Sequence, residues 1–147
     1  MIYIAHRGLI NGPSPHENAP WVIEEAISVC GNAEVDVWMH QNELWLGHDK
    51  PTYRVSIKWF HDHQNDLWIH CKNVQAIEFF NEFHNLWHYF WHENDHMTMT
   101  SKGYLWVYPG KQPVRNSIAV LPEIHNDDIT HCLGVCTDYV LKYRGDL

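Results

Sequence analysis

Two carboxylates stand two residues apart in Glu34-Val35-Asp36, within a run of strand-forming residues from Glu34 to His40. Side chains alternate faces along a strand, so Glu34 and Asp36 share one face while Val35 and Val37 take the other. Neighbouring buried carboxylates raise each other's pKa, and a divalent cation resolves the conflict. Oxygen ligands favour Mg²⁺ or Ca²⁺; His70, which shares a strand face with Lys72, would also admit Mn²⁺ or Zn²⁺. The competing reading is an ion-pair network that matches the carboxylates to Lys72 or Arg7. Arg7 carries a planar fork of donors suited to phosphate or carboxylate, and it could equally bridge to Glu17 or Glu34. His6 closes the first apolar run, and His48 ends the face that holds Leu44 and Leu46.

These groups meet only if the elements that carry them lie side by side. Strands are predicted at Ile2 to His6, Glu34 to His40, Leu44 to His48, Leu67 to Lys72, His88 to His92, Tyr104 to Tyr108, Ile118 to Leu121 and Val135 to Tyr139. Gln41-Asn42-Glu43 reads as a hairpin-like return or a tight loop. A helix is predicted over Pro20 to Cys30, with Pro20 in its first turn, Asn18 as a nearby cap and Gly31 as its stop. Val74 to His84 reads as a second helix, with Phe79, Phe80 and Phe83 assigned to the core, and Val55 to His63 as a third. The alternation predicts an α/β fold with a largely parallel sheet. In such sheets ligands bind at the C-terminal ends of strands, where each ionisable set falls.

Ten Lys and Arg against 18 Asp and Glu give a net charge of -8, with no basic cluster, which argues against nucleic acid or anionic membranes as partners. The opening apolar run ends after five residues, too short for a membrane span, so the cytoplasm is the expected compartment. Cys30, Cys71, Cys132 and Cys136 form no CxxC pair, so reduced thiols are expected; Cys132, Cys136 and a histidine would be the alternative as a structural zinc site. His92, Glu93 and Glu123 lie near strand ends and could line the pocket, but they stay outside the predicted site.

Five pieces in order carry a resemblance: Ile4-Ala5-His6-Arg7-Gly8, Glu17-Asn18-Ala19, Ala26-Ile27, Glu34-Val35-Asp36 and Gly47-His48-Asp49. Together they resemble the N-terminal half of the glycerophosphodiester phosphodiesterase family. Leu67 to Lys72 and Gly134 to Tyr139 are fainter matches to later strands. The resemblance implies a TIM barrel. For 147 residues this means a reduced (β/α) TIM-type barrel in a single domain over 1–147, with several helices shortened or missing, above all after Tyr89. It also implies His6 and His48 as general acid and base, Arg7 and Lys72 as phosphate-binding residues, Glu34 and Asp36 as metal ligands and Glu17 as a carboxylate that orders the pocket. Three departures stand out. Ala19 occupies the place of a usual Thr, His70 occupies that of a third acidic ligand, and the chain is short.

The expected function is therefore metal-dependent hydrolysis of a small-molecule phosphodiester. One rival is a phosphate- and metal-binding protein without turnover; another is an interaction protein with a Trp-rich surface. An outer sheet face left bare by missing helices would favour a homodimer.

Overall fold

The computed structural model describes residues 1–146. In chain order the elements are β1 (Ile2–His6), α1 (Pro20–Cys30), β2 (Ala33–His40), β3 (Glu43–Leu46), β4 (Tyr53–Val55), α2 (Ile57–Asp62) and β5 (Leu67–Cys71). There follow α3 (Val74–Glu82), β6 (Tyr89–Phe90), β7 (Met97–Met99), β8 (Leu105–Val107), β9 (Ser117–Val120), β10 (Gly134–Thr137) and α4 (Val140–Arg144).

Local chemistry sets the helix ends. Pro20 starts α1 after an extended Ala19, and Gly31, in the left-handed region at φ 84°, closes it by donating to the Ile27 carbonyl. Ala19 is the cap residue, so Asn18 does not serve that role. Asn73 caps α3 by accepting from the Ala76 N–H, and its amide also donates to the Met39 carbonyl, anchoring the helix to β2. Phe80 of α3 is buried, whereas Phe83 is 56% exposed at its end and does not belong to the core. Val55 lies in β4, and α2 begins two residues later behind a Ser56 cap.

Seven strands form a parallel row in the order β6, β5, β2, β1, β10, β9, β8. A flat sheet would hold its outermost strands about 29 Å apart at about 4.8 Å per step. Yet Phe90 of β6 and Trp106 of β8 have ring centroids only 4.7 Å apart, so the sheet curls round on itself. Among the described residues no ladder joins β6 to β8, so the structure shows a curled α/β sheet with few helices and not a closed barrel. β3 and β4 are an antiparallel excursion from β2, and β7 pairs antiparallel with β8. The run ending at His48 is thus a return strand and not a member of the parallel row.

Alternation along each strand divides the core. Ile4, Trp68, Phe90, Trp106, Ile118, Val120 and Cys136 fill the inside of the curl. Ala5, Val35, Val37, Ile69 and Cys71 face outward with Ile23 and Ala26 of α1 and Ala76 and Phe80 of α3. Among the described residues no helix joins β6 through β10, as expected from the chain length. Outward-facing Val107, Ala119 and Val135 are nonetheless fully buried within the one chain. Among the described residues no helix is long and apolar enough to cross a membrane.

Candidate metal centre and active site

Register brings the ionisable groups together. His6 stands opposite Glu34 across the β1–β2 pair, and Asp36 stands opposite His70 across the β2–β5 pair. All four side chains point into the curl, above the apolar floor. They line a cavity of about 760 Å³ that also takes in Arg7, His48 and Lys72.

Each carboxylate divides its oxygens. Glu34 Oε2 accepts from the Arg7 backbone N–H at 3.1 Å. Asp36 Oδ2 accepts from Asn18 Nδ2 at 2.9 Å, with Arg7 Nε and His48 Nδ1 each 3.3 Å away. The other oxygens face one imidazole nitrogen: His70 Nδ1 lies 3.1 Å from Asp36 Oδ1 and 3.9 Å from Glu34 Oε1. His70 Nε2 is 2.9 Å from the His92 carbonyl, which can only accept, so Nε2 carries the proton. In the neutral ring Nδ1 is then a bare lone pair facing two carboxylate oxygens, a repulsive set that a cation between them relieves. A histidine held through its other nitrogen by a backbone carbonyl is the usual form of a metal ligand. The donor set of Glu34, Asp36 and His70 therefore fits a divalent ion.

Burial alone would raise the Asp36 pKa, but the proton that His48 directs at it, the one that His70 directs at it when its ring is charged, and the Arg7 charge hold it well below the usual carboxylate range. Glu34 moves the other way: burial and the Asp36 charge raise it despite His6, His70 and Arg7. Burial lowers His6, yet the Asp138 hydrogen bond and the Glu34 charge outweigh it and leave the ring raised.

The two predicted acid–base histidines differ in how they are held. His6 Nδ1 bonds Asp138 Oδ1 at 2.7 Å, and its Nε2 faces the cavity, 3.8 Å from Glu34 Oε2. His48 Nε2 instead accepts from Arg7 Nη2 at 3.2 Å, which places its proton on Nδ1 toward Asp36. A tight turn returns His48 to the site. The Gly47 N–H donates to the Asp36 carbonyl, and a Cβ at Gly47 would overlap the Lys50 carbonyl.

Arg7 Nη1 meets Glu17 Oε2 at 3.0 Å, so the predicted Arg7–Glu17 bridge exists inside the same cluster. Lys72 lines the cavity without an ion pair among the described residues. Arg7 and Asn18 both sit in the left-handed region, at φ 54° and 67°, and the Asn18 N–H donates to the Arg7 carbonyl. Such backbone costs about 1–3 kcal/mol per residue and gathers at functional sites.

Sequence reading left three supporting residues outside the predicted site. Asp138 orients His6, and its place at the end of the last parallel strand was the available signal. Asn18 holds Asp36 through both side chain and backbone. Glu123 Oε1 accepts from the Thr137 hydroxyl and the Asp138 N–H, a contact made only by folding. His92 and Glu93 do line the cavity. The Cys132 and Cys136 zinc alternative finds no support among the described residues: Cys136 lies in the apolar interior and Cys132 contacts Ser117.

Comparison with protein-family models, with curated proteins and with solved structures found no match for this chain.

Proposed function

We propose that this chain is a metal-dependent phosphodiesterase of the glycerophosphodiester type, on a reduced form of that family's barrel. The observation that carries the reading is the His6–Asp138 pair facing the Glu34, Asp36 and His70 donor set across one cavity, with Arg7 beside both. A divalent ion held by those three side chains would polarise a phosphoryl oxygen and acidify the attacking hydroxyl or water. His6 Nε2 is free to exchange a proton, while Asp138 keeps the tautomer and balances the imidazolium that forms. Arg7 and Lys72 offset charge on the non-bridging oxygens. A phosphate that draws Arg7 Nη2 to itself releases His48 Nε2 for the second proton. The substrate is a small-molecule phosphodiester.

The second reading, a phosphate- and metal-binding protein without turnover, draws on the Arg7–His48 bond, which leaves both groups already engaged. A panel of phosphodiesters including glycerophosphocholine separates the two. Hydrolysis is expected to vanish in EDTA, return with Mg²⁺, Ca²⁺, Mn²⁺ or Zn²⁺, and be absent from the Glu34→Ala, Asp36→Ala double variant. His6→Ala is expected to keep binding while turnover falls about 10²–10⁴-fold. Calorimetric metal binding with no turnover under any ion would establish the non-catalytic reading instead.

A further inference from the structure

The triad turns three donor atoms toward one another: Glu34 Oε1, Asp36 Oδ1 and His70 Nδ1. The second oxygen of each carboxylate is already engaged, Glu34 Oε2 by the Arg7 N–H and Asp36 Oδ2 by the Asn18 amide. Each carboxylate thus presents one oxygen to the His70 nitrogen, and its second oxygen is oriented by a buried hydrogen bond to the protein. The His70 ring is fixed as well. It stacks on Phe90 at 5.0 Å and 17°, and its Nε2–H is held by the His92 carbonyl.

This arrangement bears on the kind of ion. Ca²⁺ takes six to eight oxygens, often with bidentate carboxylates, and Mg²⁺ prefers an all-oxygen octahedron. Two single oxygens and one imidazole nitrogen suit neither, whereas imidazole is a favoured ligand of first-row transition ions. We infer that the centre takes a divalent transition ion of the Mn²⁺ or Zn²⁺ kind in preference to Mg²⁺ or Ca²⁺. The inference deepens the metal-centre part of the proposed function and does not depend on turnover.

Calorimetric titration of chelator-stripped protein with each ion, without substrate, tests it. Mn²⁺ against Mg²⁺ is the decisive pair, because a nitrogen ligand separates these ions where an all-oxygen site does so weakly. One ion per chain is expected, with Mn²⁺ at least about tenfold tighter than Mg²⁺ and Zn²⁺ tighter still. His70→Asp is expected to bring Mn²⁺ and Mg²⁺ within about threefold of each other, with folding checked by circular dichroism. Equal or tighter binding of Mg²⁺ or Ca²⁺ by the native chain, or an unchanged ratio in a folded His70→Asp, overturns the inference. X-ray absorption on the native Mn²⁺- or Zn²⁺-loaded protein needs no variant: an imidazole in the shell supports the inference, and an all-oxygen shell overturns it. A chain that binds Mn²⁺ in this way but cleaves no diester keeps the inference and loses the enzyme. A chain that cleaves with Mg²⁺ bound as tightly as Mn²⁺ keeps the enzyme and loses the inference.

Discussion

Asn18 is fully buried, and its side chain meets Asp36 twice, accepting from the backbone N–H at 3.0 Å and donating to Oδ2 at 2.9 Å. Asn also tolerates the left-handed backbone at this position better than most residues do. Asn18→Ala removes one donor from a buried carboxylate, leaves the buried Asp36 N–H without its acceptor, and puts a residue without side-chain compensation at φ 67°. A loss of about 3 kcal/mol is expected from urea unfolding. Metal affinity should fall with it, because Asp36 Oδ2 is released to rotate.

At the scale of elements, the stretch around β6 and β7 closes the curl through polar contacts. His88, just before β6, bonds Thr100, just after β7, at 2.8 Å and packs on Trp68. Burial, with a smaller push from the Lys102 charge, lowers the His88 pKa from 6.5 to about 3. The unfolded chain therefore takes up this proton near pH 6.5 and the folded chain only near pH 3. Stability contributed by neutral His88 is full above about pH 6.5 and falls by about 1.4 kcal/mol per unit below it, levelling near pH 3. Between pH 7 and pH 5 the native protein is expected to lose about 2 kcal/mol more than His88→Gln, read by denaturant titration at both pH values.

At the scale of the molecule, the open side of the sheet is closed by rings and not by a ladder. Trp106 is 3% exposed and packs on both Phe90 and Trp68 across that side. Trp106→Ala is expected to cost about 3–5 kcal/mol, a large share of the roughly 5–15 kcal/mol that stabilises a domain. Trp106→Phe should recover much of the loss. Equilibrium unfolding of the pair checks both values.

Much of this was legible in the sequence because strand alternation is a local rule. The Glu34 and Asp36 face, the His70 and Lys72 face and the bounds of α1 follow from period and end residues alone. All eight predicted strand positions hold a strand, though His88 to His92 shrinks to Tyr89–Phe90. The short β4, β7 and α4 were missed, since three to five residues carry too little pattern to stand out. What only the tertiary structure decided is pairing between distant segments: that Asp138 reaches His6 across 132 residues, that Asn18 holds Asp36 instead of capping α1, and that Phe90 meets Trp106. Those contacts depend on how far the sheet curls. Curl is the sum of small twists over seven strands and their packing, a collective quantity that no stretch of sequence specifies by itself.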